Sequence, residues 1–204
     1  EYVHRDVLLQ AYLNAALILL SFCGEAVDRS NPYFTETFRN QGAFTSLGAP
    51  FVLDLVSQAG NLGLSGAWYQ KWNVHRRLRP ETYGGRVHFH VNGQRNYDIH
   101  ADLLNSAGLE RAFARNGAYF LPQAYTEGSP THPSYPAGHA TIAGCCTTVL
   151  KAFFDESFEI PDPVVADASG NTLDPFPGAL TVGDELDKLA SNIAIGRNAA
   201  GVHY

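Results

Sequence analysis

Ser129-Pro130-Thr131-His132-Pro133-Ser134-Tyr135-Pro136-Ala137-Gly138-His139-Ala140 is the stretch around which the rest of the chain is ordered. Its prolines at 130, 133 and 136 make a stiff, extended approach, because each fixes φ and removes a backbone donor. The chain then meets Gly138-His139 and runs on as Ala140-Thr141-Ile142-Ala143-Gly144, which reads as the first turn of a helix. A loop delivered onto a helix N-terminus offers free backbone N–H groups, a setting that suits an oxyanion. His132 and His139 bracket that entry. A histidine beside an anion site is a natural acid–base candidate.

Two further stretches sharpen this. Upstream lies Lys71-Trp72-Asn73-Val74-His75-Arg76-Arg77-Leu78-Arg79-Pro80-Glu81. In one continuous helix Lys71 and Arg79 would stand two turns apart with about 80° of rotation between them, so both can lean toward one pocket. Downstream lies Ile195-Gly196-Arg197-Asn198-Ala199-Ala200-Gly201-Val202-His203-Tyr204. Arg197 and His203 would face opposite ways in an unbroken helix, so Gly201 is expected to end or bend it. Gathered together, Lys71, Arg79, Arg197, the Gly138 N–H, His139 and His203 describe a pocket for a tetrahedral oxyanion. Arginine gives bidentate, permanently charged contacts, and lysine gives a point charge. Each residue alone reads as a surface cation or a satisfied histidine; the inference rests on their joint order and spacing.

Composition bounds the function. The 204 residues fit one domain, 1–204, with 45% apolar content for a substantial core. A net charge of −6 leaves no basic excess to neutralise phosphates, so nucleic acid is not expected as a partner. Yet Lys71, Arg76, Arg77, Arg79 and Arg86 gather five of the 14 Lys and Arg residues into one short segment. A local basic cluster in an acidic chain favours a small-anion pocket. The densest apolar run, Ala15–Leu20, is too short to span a bilayer. No signal-peptide pattern is present, and extracellular, periplasmic and cell-wall locations all stay open. The chain has no methionine and reads as a fragment or mature piece. Cys23, Cys145 and Cys146 lack metal-ligand spacing, and the adjacent pair is expected as buried thiols.

Periodicity gives a mainly α chain of about five helices and one small β-hairpin. Val3–Phe22 forms the first helix, with Tyr12, Ala15, Ala16, Ile18 and Leu19 on its apolar face. The second opens near Pro50 and carries the chain through the basic cluster to Pro80, with Gly60, Gly63 and Gly66 permitting close helix contact. Arg86–His100, where Val87, Phe89 and Val91 alternate with polar residues before Asn92-Gly93, predicts the hairpin. Its His88 and His90 are expected to face solvent rather than a metal. Ala101–Phe120 and Gly138–Phe154 predict further helices, Glu156–Gly178 a long loop, and Thr181–Arg197 the last helix.

The three stretches together resemble the vanadium-dependent haloperoxidases, which share fold and pocket with the type 2 phosphatidic acid phosphatase superfamily. Lys71-Trp72 through Arg79-Pro80-Glu81, Ser129 through Ala140 and Leu189 through Arg197 resemble the algal and cyanobacterial bromoperoxidase branch most. The resemblance implies a helical bundle of the haloperoxidase and acid phosphatase type. It also implies that the chain is the C-terminal catalytic part of a longer one. It makes His203 the metal ligand, with Lys71, Arg79, Arg197 and the Gly138 N–H holding the vanadate oxygens. His139, His132 and Lys71 become the catalytic residues: His139 the acid–base group, and His132 the halide-side neighbour that favours bromide. The implied partners are hydrogen peroxide, bromide and small organic acceptors, in a homo-oligomer.

One position departs from the family pattern. Ala137 stands where the family carries the serine of Ser-Gly-His, so one hydroxyl donor to vanadate is missing. A hydrogen bond to a charged group contributes about 1.5–3 kcal/mol, so weaker affinity is expected rather than lost chemistry. Ser134 is a possible substitute donor, with Pro136 intervening. The rival within the superfamily is a phosphatase, in which His203 is the nucleophile and His139 the general acid. A non-catalytic anion-binding module is the third reading.

Overall fold

The computed structural model describes residues 8–33, 38–124 and 129–204. They form a mainly helical structure with a single two-stranded sheet among the described residues. The chain divides into two compact units. One comprises Gly66–Ala137 and Ala194–Tyr204, the other Val7–Ser65 and Gly138–Ile193.

The second unit holds the main apolar core. Helix α1, Gln10–Ser21, buries Tyr12, Ala16 and Leu19, the i, i+4, i+7 stripe of an amphipathic helix. Ile18, expected on that face, is 56% exposed instead. The expected start at Val3 lies outside the described residues. The helix ends as Cys23 and Gly24 both take left-handed φ. Helix α2, Ala49–Tyr69, has Pro50 in its first turn, as its position predicts, and buries Val52 and Val56. Two of its three glycines, Gly60 and Gly63, allow the close approach anticipated, whereas Gly66 faces open space. A Cβ on Gly60 would meet Leu9 Cδ2 at 1.9 Å and Cys146 Sγ at 3.3 Å, and one on Gly63 would meet Cys145 Sγ at 3.0 Å. Both cysteines lie on the helix Gly138–Phe153, numbered α6 in chain order, where Ile142, Ala143, Cys146 and Leu150 are buried. Removing the Leu150 side chain should cost about 2–5 kcal/mol. Cys146 is a buried thiol and Cys145 is partly covered, but Cys23 is exposed; none of the three is in a disulfide.

The expected hairpin at Arg86–His100 is overturned. Pro80–Val91 is helix α3, with Pro80 at its first position and Gly84 and Val87 buried. Asn92-Gly93 is the end of that helix. Gly93, at φ 69°, donates to the His90 carbonyl, and Gln94 donates to that of Phe89. That pair of bonds is a Schellman motif. His88 and His90 are correspondingly half-buried, not solvent-facing. His88 stacks on Phe120 at 4.2 Å, and His90 Nδ1 accepts from the Tyr97 N–H at 3.1 Å.

The observed hairpin lies where a loop was expected. Strands β1, Val164–Ala166, and β2, Leu173–Pro175, pair antiparallel with Val165 opposite Asp174. Asp167 organises their turn, accepting from the Asn171 and Thr172 N–H groups and from the Ser169 hydroxyl. That hydroxyl is the chief reason its carboxyl is lowered to about 2. The single helix expected over Ala101–Phe120 is two, α4 at Ala101–Leu104 and α5 at Ala107–Asn116. Ser106 separates them by accepting from the Leu109 N–H, an N-cap bond that competes with helix continuation. Helix α7, Val182–Ala199, closes the fold. Among the described residues no helix is long and apolar enough to cross a membrane.

Candidate active site

Six of the residues that matter lie in the unit formed by Gly66–Ala137 and Ala194–Tyr204. Helix α2 runs directly into a π-helix, Gln70–His75, which carries Lys71. The expected continuous helix through to Pro80 does not form. Arg76 adopts φ 44° and donates to the Lys71 carbonyl, and the chain then extends to Arg79, at φ −68° and ψ 150°, where α3 begins. Lys71 and Arg79 are thus presented by a wide turn and a reversal, not by one helix face. Single-turn π segments often occur where a side chain is re-aimed at a functional site. Both cations are buried, Lys71 to 2% and Arg79 to 7% exposure. Arg79 Nε also lies 3.4 Å from Glu81 Oε1.

Helix α7 delivers the next two. Arg197 sits in its last turn, and Gly201, at φ 79°, ends it as anticipated. The Gly201 N–H donates to Asn198 and the Val202 N–H donates to Arg197, a second Schellman motif. Val202 is buried to 1%, which anchors the reversal and brings His203 in at 6% exposure.

The loop before α6 supplies the contact that fixes His203. Its Nδ1 lies 2.7 Å from the Ser134 carbonyl oxygen. A carbonyl only accepts, so Nδ1 carries the proton and Nε2 keeps its lone pair. Nε2 is buried and has no hydrogen-bond partner among the described residues. A buried acceptor left so costs about 1–3 kcal/mol unless a ligand fills its place.

Charge follows the same plan. Burial is the main cause that lowers Lys71 to about 8, with Arg79 and Arg197 adding repulsion. Burial also lowers His203 to about 4, with Arg197, Lys71 and Arg79 acting in the same direction against the Ser134 carbonyl. His132 is lowered as well, by burial first and then by the same cations, against the Pro133 carbonyl. Its Nδ1 lies 3.1 Å from Lys71 Nζ and 3.0 Å from the Pro133 oxygen. A neutral imidazole nitrogen can accept from the ammonium or donate to the carbonyl, not both, so this contact depends on the tautomer.

Gly138 and His139 open α6 at the first residues of the other unit, joined through the chain to the loop that carries His132 and Ser134. Gly138 is buried and His139 half-buried. Residue patterns missed what Ser134 does. Its hydroxyl donates to the Leu78 carbonyl at 2.7 Å, so it is committed to backbone and is no substitute donor for the Ala137 position. Nor does any spacing rule flag Tyr204, whose hydroxyl donates to the same carbonyl. Among the described residues no cluster of His, Cys, Asp and Glu could hold a metal ion. A cavity of about 420 Å³ in the other unit, lined by Leu20, Val27, Val52 and Phe154, contains none of the predicted site residues.

A family model described as the VCPO second helical-bundle domain matches residues 55–204, a span that includes every site residue named above. The chain belongs to that family. Among similar proteins, a vanadium-dependent bromoperoxidase of Corallina pilulifera is 43% identical over 225 residues, covering 100% of this chain and 38% of the relative. A vanadium-dependent bromoperoxidase of Ascophyllum nodosum is 43% identical over 210 residues, covering 96% of this chain and 37% of the relative. The homohexameric structure of the second vanadate-dependent bromoperoxidase of Ascophyllum nodosum aligns at a TM-score of 0.78 and 33% identity, over 99% of this chain and 38% of that one. This VCPO-type helical bundle thus spans well under half the length of the relatives it matches.

Proposed function

We propose that this chain carries the vanadate site of a vanadium-dependent bromoperoxidase. The reaction oxidises bromide with hydrogen peroxide, giving a hypobromous-acid equivalent that halogenates small organic acceptors. Its balance is simple: hydrogen peroxide, bromide and one proton give hypobromous acid and water. The observation that carries this proposal is His203, whose buried Nε2 has no hydrogen-bond partner among the described residues while Nδ1 is tied to the Ser134 carbonyl. Metal-binding histidines are typically oriented in this way by a second acceptor.

The residues fit the group. His203 Nε2 would supply the nitrogen ligand, and Lys71, Arg79 and Arg197 would hold the vanadate oxygens with charge-assisted hydrogen bonds. The Gly138 N–H would add a backbone donor at the start of α6. Vanadate, when bound, would supply a Lewis acid for peroxide with vanadium kept at its highest oxidation state. His139 would hold and release the proton that peroxide exchanges. Lys71, lowered to about 8, keeps most of its charge at neutral pH and holds a proton at Nζ beside His132. His132 would stand on the halide side. Names of the similar proteins support bromide, and the homohexameric neighbour supports assembly of this protein as a homo-oligomer.

Full-length protein should be assayed for peroxide-driven bromination of a phenolic or diketone acceptor, with and without vanadate, beside hydrolysis of an aryl phosphate. Vanadate-dependent bromination is expected. Phosphate release with no bromination would overturn the proposal in favour of the phosphatase reading, and neither activity would leave an anion-binding module.

A further inference from the structure

Ser134 is 2% exposed and has all three of its hydrogen-bonding groups engaged. Its N–H donates to the Arg77 carbonyl at 3.1 Å, and its hydroxyl donates to the Leu78 carbonyl at 2.7 Å. Its own carbonyl accepts from His203 Nδ1 at 2.7 Å. One residue therefore ties the extended segment that ends on Arg79 to the imidazole of His203. The Leu78 carbonyl accepts a second donor, the Tyr204 hydroxyl, from the residue that follows His203. With two lone pairs engaged, that carbonyl is held from two sides.

We infer that Ser134 is the positioning residue of the site: it fixes the tautomer and orientation of His203 and sets that ring in register with Arg79. The inference deepens the reading of His203 as the vanadate ligand and rests on it for its catalytic meaning. Its physical content is independent, because the Nδ1–H bond exists without any bound group. Bonds behind a ligand matter because they hold its lone pair where the ligand field needs it; their removal typically costs about 10–100-fold in affinity or activity. Here the His203 acceptor is backbone, so a Ser134 substitution acts through loosening of the loop, with the smaller effect of a single neutral hydrogen bond. Tyr204 backs the same carbonyl from the other side, and its loss should act in the same direction.

The test uses full-length vanadate-free protein with 15N-labelled histidine. The His203 Nδ1–H proton is assigned by its loss in His203→Gln, and its shift and exchange with water are measured. Vanadate affinity is measured in parallel. Ser134→Ala should shift the resonance, speed its exchange and weaken vanadate binding by roughly three- to tenfold. Ser134→Thr, which keeps the hydroxyl, should restore both. Tyr204→Phe gives an independent arm that does not depend on how threonine fits, and should produce a change of the same sign. A lower melting temperature with the resonance and its exchange unchanged in Ser134→Ala and Tyr204→Phe would overturn the inference and leave Ser134 a purely structural residue. Should native protein bind no vanadate while the resonance responds as described, the positioning role stands and the proposed function falls.

Discussion

His203 Nδ1 and the Ser134 carbonyl oxygen lie 2.7 Å apart, and that one contact decides which face of the imidazole meets the site. With the proton on Nδ1, the buried Nε2 carries a lone pair among Lys71, Arg79 and Arg197. A ring flipped or doubly protonated would offer the same cations an N–H instead. Within the described structure the acceptor that orients this histidine is a backbone carbonyl.

Stability should register that ring. His203 is lowered from 6.5 to about 4, so between those values the unfolded chain binds the additional proton. Stability therefore rises with pH across this window and is lost as pH falls through it. Thermal unfolding of the vanadate-free protein should show a declining melting temperature from about pH 6.5 to 4, and His203→Gln should flatten part of that decline.

Lys71 should set the alkaline limit of anion binding. Its ammonium titrates near 8 in the vanadate-free site, so an oxyanion loses one positive partner above that value. Molybdate is the suitable probe because its own charge does not change there. Its affinity should fall by up to about tenfold per pH unit above pH 8, and Lys71→Met should bind more weakly with a nearly flat profile.

Ala137 is expected to limit cofactor affinity. Ala137→Ser restores the hydroxyl found in the family pattern. It should tighten vanadate binding by roughly ten- to a hundredfold, the equivalent of about 1.5–3 kcal/mol for a bond to a charged group. Equal dissociation constants for the two proteins would rule this out.

Gly84 tests the corrected fold. A Cβ there would lie 2.9 Å from the Tyr119 carbonyl oxygen and 3.0 Å from Leu121 Cγ. Gly84→Ala gains about 1 kcal/mol of helix propensity but introduces overpacking against backbone, typically about 1–3 kcal/mol. A net loss of stability in denaturant titration is expected; a gain would mean that α3 does not pack against this segment.

Much of the fold was legible because its signals agree with one another. Pro50, the glycines of α2 and the apolar stripe of α6 each point to the same packing, and Gly201 marked the end of α7 with the motif that glycine serves best. The errors have a physical cause. Asn92-Gly93 supplies a left-handed residue, which a type I′ turn and a helix C-cap both require, so the dipeptide alone cannot separate them. Pro80 at the helix start and Gly84 against Tyr119 settle the case for α3. Lys71 and Arg79 are both buried but not on one continuous helix, because a π-helix followed by left-handed Arg76 has no periodic signature. By residue type Ser134 is no more than a possible substitute donor to the ligand, and its hydroxyl goes to the Leu78 carbonyl instead. Its role lies in its carbonyl and in Leu78, and backbone partners leave no trace in residue type.

An oxyanion metal site built on His203 with Lys71, Arg79 and Arg197 should bind vanadate through all four side chains. Equilibrium dialysis of vanadate against full-length vanadate-free protein, beside His203→Gln, tests it most directly. One vanadate per chain is expected in the native protein, with affinity reduced by more than roughly a hundredfold in the variant, beyond what loss of a supporting residue alone would cause. Equal vanadate binding by the two proteins would contradict the claim.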